Sequence, residues 1–328
     1  TEGVGLELPN DVRLDSTLFA GWYDNAELKG TPVTAITRDD SGDKTYYAAW
    51  FKLKMPELDE TDNCYAISNA AELYGFAAYV NGTHGMSYWN HPEICGKLTA
   101  DIVVNENVLK EDGTLDSANV AKFLPWEIIE SFSGKFDGQG HKISGLYGVA
   151  APKKPMAFFN EIYEGNYDPA LQADGPVVIK KVTLEDTYFS GVKNGVAGFV
   201  ASIKGARTAR GVSYPGAKLE MDSCHFKGFL KSDSNVVGGF VANSSGTLSI
   251  TNSTSDGVIQ GYSNAGGFGG YLYGTISITN SVNSAKIVGG YSSTGGFVGG
   301  VSGTTTIMNC ENNGEVVARI FNNNAGLV

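Results

Sequence analysis

The sequence predicts an all-β chain whose main body is a parallel β-helix, and three observations predict it. Glycine supplies 43 of 328 residues, and in the second half it stands beside Thr, Ser, Asn, Val and Ile, a mixture that suits short strands joined by tight turns. Three segments of 29 residues, 235–263, 264–292 and 293–321, share one pattern. Within them Phe240, Phe268 and Phe297 align, as do Ile250, Ile278 and Ile307, and then Val258, Ile287 and Val316. Three apolar columns per repeat imply three strands per coil, each stacked about 4.8 Å from its counterparts in the neighbouring coils.

Residues 1–52 have a different grammar. A strand containing Phe19, Trp22 and Tyr23 is followed by a Gly-Pro-rich turn region and a second strand, Thr45 to Phe51. Residues 53–62, LKMPELDETD, are charged, carry Pro56 and read as a linker. The β-helix is expected over 63–328. It opens with a short strand at Cys64 and then a helix over about 69–80, with Ser68 as N-cap and Glu72 in the first turn. Leu73, Phe76, Ala77 and Val80 fall on one face, so this helix caps the open end of the stack and covers its first strand edges.

Less regular coils follow at 97–104, 132–147 and 177–192, with loop excursions expected at 105–131 and 148–176. Between 194 and 230 the 29-residue period resumes once ARTARGVSYPGA (206–217) is set aside, so that insert is expected to leave the stack as a surface loop. The paired glycines before each Phe permit bends that a Cβ would block, and Asn252, Asn280 and Asn309 stand where side-chain amides satisfy turn backbone.

Charge excludes some functions. With 35 acidic against 24 basic residues, a net −11 and no Lys/Arg run, the chain lacks the basic face that phosphates require, so neither nucleic acid nor an anionic membrane is an expected partner. No apolar run is long enough to span a bilayer, so no membrane insertion is expected of this segment.

GGFVANSSGTLSITNS (238–253), GGFGGYLYGTISITNS (266–281) and GGFVGGVSGTTTIMNC (295–310) resemble the GLUG repeat of bacterial surface and secreted proteins. The preceding YAISNAAELYGFAAYVN, CGKLTADIVV and FSGKFDGQGHKISGLY are similar to the region that leads into such repeats. FAGWYDN (19–25) and KTYYAAW (44–50) resemble the internalin-type B-repeat, a small β-grasp-like module. The resemblance implies a right-handed β-helix and a secreted or cell-surface location, and it brings no shared catalytic residues. The closing NNNAGLV repeats the opening of a coil, so further repeats or an anchoring domain of a longer chain are expected.

Candidate chemistry is sparse. Cys64 and Cys95 stand on adjacent strands and are disulfide candidates, a pair suited to an oxidising compartment. Cys224 and Cys310 share a column three coils apart, about 14 Å and beyond bonding reach, and are expected to be free and buried. His84 and His91 with those first cysteines match no zinc-finger spacing and read as loop histidines. Glu185 and Asp186, with Glu220 and Asp222 a coil later, would form a carboxylate patch for acid–base work or Ca²⁺, but outward solvated strand positions account for them. No resident cofactor is expected, and calcium is the one ion the acidic positions admit. In DGQGHKISG (137–145) Asp137 and His141 have the residue types of β-helix polysaccharide-degrading enzymes, without the later paired aspartates or Arg-x-Lys.

Ligand-binding candidates are the loop residues Trp89, His91, Trp126, Tyr163 and Tyr167, since function concentrates in long insertions on a rigid scaffold. Tyr262 and Tyr291, repeated in GYS, form a second candidate strip, with Tyr271 and Tyr273 flanking the same coil. The functional expectation is a non-catalytic adhesin or stalk of a larger bacterial protein that meets a polysaccharide or surface-protein partner through its inserted loops. The alternative is a polysaccharide lyase or glycoside hydrolase working on the outer face.

Overall fold

The computed structural model describes residues 5–10, 12–163, 175–192, 195–209, 212–233 and 235–318. At the N-terminus Thr17–Tyr23 pairs antiparallel with Tyr47–Lys52, and Leu6–Glu7 with Ala35–Ile36. Phe19 packs its ring 5.3 Å from Trp22 and 5.6 Å from Trp50. Register slips at Gly21, whose φ of 120° is open to glycine and strained for any other residue.

The charged stretch read as a linker contains a strand. Glu57–Asp59 pairs antiparallel with Cys64–Ile67, and Asp59 closes the turn by accepting from the Thr61 backbone N–H at 3.0 Å and its hydroxyl at 2.7 Å. Its acidic residues suit a sheet edge facing solvent, where charge discourages pairing with other chains. That exposure is why the segment has a linker's composition.

The helix runs Ala70–Asn81, with Asn69 rather than Ser68 as N-cap: Asn69 accepts from the Glu72 backbone N–H. Ser68 instead donates its N–H and hydroxyl to the Glu72 carboxylate at 2.8 and 2.7 Å. Two adjacent capping residues divide one capping-box arrangement between them. The helix ends at Gly82 in the left-handed region, φ 65°. Tyr74, Phe76 and Val80 are buried against the first coils, and Phe51 brings the N-terminal sheet onto Tyr74 at 5.6 Å. Gly75 has no room for a Cβ because the Lys54 carbonyl occupies that space.

Beyond the helix, the sheets of the body are parallel. Cys64–Ile67, Cys95–Leu98, Lys135–Asp137, Val177–Lys180, Lys218–Asp222 and Thr247–Thr251 pair in sequence, followed by the second halves of Gly269–Thr279 and Val298–Met308. Phe240, Phe268 and Phe297 are fully buried and stack at 4.6 and 5.2 Å. Each such Phe is worth about 3–5 kcal/mol against Ala. Ile250, Ile278 and Ile307 are direct register partners.

The third column differs from the expected one. Ile259, not Val258, partners Ile287 and Val316, and Val258 lies opposite Lys286. The spacing is 28 residues from Val237–Ala265 through to Gly261–Gly289, and Gly290, entering before the bonded Tyr262–Tyr291, lengthens it to 29. Asn252, Asn280 and Asn309 sit at φ 52°, 51° and 53°. They turn the chain in the left-handed conformation that Asn tolerates, and Asn309 Nδ2 donates to Asn280 Oδ1 at 3.3 Å.

Two of the expected loops carry strands. Ile129–Phe132 and Phe159–Ile162 pair in parallel with each other, and the latter pairs with Val200–Ile203. Their terminal apolar residues all point inward. The 105–128 excursion is held down by Asp186, whose carboxylate accepts from the Val108 and Leu109 N–H groups at 2.9 and 2.7 Å. Burial raises the Asp186 pKa, against these two bonds. Glu185 pairs instead with Lys142, and Glu220 and Asp222 belong to another strand column, so the four carboxylates form no patch. The 206–217 insert projects as a hairpin, Arg207–Ala209 against Val212–Tyr214.

Cys64 and Cys95 are bonded. Cys224 is free and buried, its thiol pushed up to about 12 mainly by burial, whereas Cys310 is only half-buried. Among the described residues no helix is long and apolar enough to cross a membrane.

Candidate functional site

A cleft of about 750 Å³ opens where the N-terminal segment, the end of the helix and two inserted loops meet. Its walls are Asn10, Val12–Asp15 and Thr17–Phe19, then Asn81 and Thr83–Gly85, Pro125–Ile128 with Glu130, and Val149–Ala151 with Lys154–Met156. Asn81 fixes the helix end to the loop, donating to the Ile128 carbonyl at 3.0 Å and accepting from the Glu130 N–H at 2.8 Å.

His84 is the staple of this cleft. Its carbonyl accepts from the Ser16 N–H at 2.7 Å, and its Nε2 lies 2.6 Å from Glu127 Oε2. One residue at φ 52° therefore joins three walls. Asp15, next to Ser16 on the same wall, lies against Gly85. Arg13 and Lys154 bring cations to the rim, and Ile128, Val149 and Met156 supply apolar surface. The volume and this mixture suit a polar chain-like ligand that makes a few directed hydrogen bonds.

The loop candidates fare differently. Trp126 lines the cleft but is a core residue, 4% exposed, its indole stacked on Phe158 at 4.8 Å and donating to the Ala157 carbonyl at 3.2 Å. Its apolar bulk is drawn inward because the 129–132 strand continues the core. His91 stacks flat on Tyr79 at 4.4 Å, with Nε2 3.0 Å from Ser87 Oγ. Trp89 is exposed at the tip of the same loop, beside fully exposed Tyr88. Tyr163 lies under the Arg207 guanidinium at 4.9 Å with its hydroxyl buried, and Tyr167 lies outside the described residues. Tyr262 and Tyr291 stack at 5.7 Å, 2° from parallel, and both are exposed on the regular coils. Stacked this way each covers one face of the other's ring.

Ser87, His91 and Glu93 follow the order of a hydrolytic triad, but His91 Nδ1 is 3.8 Å from Glu93, beyond hydrogen bonding, and Ser87 Oγ accepts from the Trp89 N–H at 3.1 Å. These contacts shape the loop. Asp137 pairs with Lys180, and His141 with Asp101 at 3.1 Å. Among the described residues no three His, Cys, Asp or Glu side chains converge as a metal site. The His84–Glu127 contact spans 43 residues of sequence; the glycines at 82 and 85, flanking a histidine after a helix, are the one local hint of it.

No family model matches the chain. No curated protein matches it either. Among solved structures, the crystal structure of a "putative immunoglobulin A1 protease" from Bacteroides ovatus matches at a TM-score of 0.55 and 16% identity, covering 81% of this chain and 70% of that one. At that identity the likeness concerns the fold: this chain is a mostly β protein with parallel sheets, similar in architecture to that Bacteroides protein.

Proposed function

We propose that this chain is a non-catalytic binding segment of a secreted bacterial surface protein, built on a right-handed parallel β-helix of GLUG-type repeats and led by a B-repeat-like module. The parallel pairing at 28–29-residue intervals supports the β-helix, and parallel crossovers are right-handed in about 98% of cases. The bonded cysteine pair supports an oxidising, extracellular setting.

The observation that carries the binding role is the junction cleft, because inserted loops, helix end and N-terminal segment all contribute walls to it. Its ligand in this reading is a polysaccharide, taken up through rim groups such as Arg13 and Lys154. A glycan array run beside reducing-sugar and unsaturated-product assays tests this. Expected is binding without turnover, weakened about tenfold or more by Arg13→Ala with Lys154→Ala. Turnover, or silence across the array, overturns the reading.

A further inference from the structure

On the regular coils Ser202, Asn243, Tyr271 and Gly300 are successive register partners, one per coil, so their outward positions form a row at about 4.8 Å intervals. Tyr271 lies across the space a Gly300 side chain would fill: a Cβ there would stand 2.8 Å from Tyr271 Cδ2 and 3.2 Å from Cε2. Gly300 thus lets the ring settle against the next coil, yet the residue stays 41% exposed. The same Cβ position lies 3.3 Å from Asn264 Oδ1, which accepts from the Ser292 hydroxyl at 3.3 Å. An anchored open ring is therefore bordered by uncharged amides and hydroxyls.

Charge decides what such a surface takes. In this row the first ionisable residue is Glu161, partnered with Ser202 and hence three coils from Tyr271, about 14 Å. It is also paired with Lys204 at 3.0 Å. Among the described residues of this row no cation stands beside the ring to attract an anionic sugar, and the chain as a whole is at −11. Sugar rings offer an apolar C–H face to an aromatic ring and hydroxyls to neighbouring amides, which is the combination present here.

We propose that Tyr271, with Asn243, Asn264 and Ser292, is a stacking site for a neutral polysaccharide, separate from the junction cleft. The site rests on the polysaccharide-binding reading above and narrows it to uncharged chains running along the coil axis. Its ring is held by a neighbouring glycine, unlike the Tyr262–Tyr291 pair, which stack on each other.

Affinity electrophoresis of the full chain tests it, with xylan, mannan and mixed-linkage glucan as neutral probes and polygalacturonate as the acidic one. Wild type should be retarded by at least one neutral probe. Tyr271→Ala should lower that affinity about tenfold, and Tyr271→Phe, which keeps the ring, should retain it. The Arg13→Ala, Lys154→Ala cleft variant reports on the cleft alone. Neutral retardation that Tyr271→Ala leaves unchanged and the cleft variant abolishes overturns the Tyr271 site while sparing the cleft. Retardation by polygalacturonate alone overturns the neutral assignment, and no retardation by any probe overturns both. Since Tyr271 is exposed, loss of folding is not expected, and unchanged thermal unfolding of Tyr271→Ala checks that.

Discussion

Cys64 and Cys95 are direct register partners on neighbouring parallel strands, their Cα atoms 4.5 Å apart and 31 residues separated in sequence. The bond closes a loop containing the whole capping helix. In the chain-entropy account a loop of this length contributes about 3–4 kcal/mol. Cys64→Ser with Cys95→Ser should lower unfolding free energy by that order in urea titration. A change under about 0.5 kcal/mol would mean that the first coil is held by packing alone.

Gly75 is where the chain leaving the N-terminal sheet crosses the helix. A Cβ at 75 overlaps the Lys54 carbonyl, and Lys54 N–H donates to the Ala71 carbonyl at 3.0 Å. Gly75→Ala should cost about 1–3 kcal/mol despite its better helix propensity. Increased tryptic cleavage near Lys52 and Lys54 would show the same displacement, and wild-type stability would contradict the crossing.

Glu72 is buried, which raises its pKa, but the Lys54 ammonium and both Ser68 donors outweigh burial and hold the carboxyl below its ordinary value of 4.5. Its ionised form is favoured by folding, so its contribution is complete above about pH 4.5 and is lost as pH falls through the lower folded value. Glu72→Gln should therefore be destabilised most at neutral pH, with the gap to wild type closing in acid. Thermal unfolding measured from pH 7 to 3 checks this; a constant gap would refute it.

Asn280 turns the chain at φ 51°. Asn280→Ala should cost about 1 kcal/mol more than Asn280→Gly, because alanine carries a Cβ in the left-handed region and glycine does not. Equal costs would place the effect in the lost Asn309 contact instead.

The parallel strand columns were legible because residues that repeat in sequence touch in space: Phe240, Phe268 and Phe297 stack, and Ile250, Ile278 and Ile307 are register partners. Val258 was misplaced because a fixed 29-residue window sets it against Ile287, whereas the spacing between these strands is 28 until Gly290 enters and lengthens it. The strand at 159–162 repeats GFVASI (198–203) as AFFNEI (157–162), but 41 residues rather than 29 separate the two, and Ser68 next to Asn69 offers two caps of equal merit. The cleft was the least legible part. His84 meets Glu127 across 43 residues, and beyond the glycines at 82 and 85 the sequence carries no pattern for that contact.

The hairpin Arg207–Ala209 with Val212–Tyr214 leaves between Val200–Ile203 and Lys218–Asp222, both of which keep their partners in the coils on either side. Length at this corner is thus uncoupled from the pairing of every other strand. The hairpin can be lengthened, shortened or exchanged without disturbing the interior, which makes it a practical point for grafting a foreign peptide.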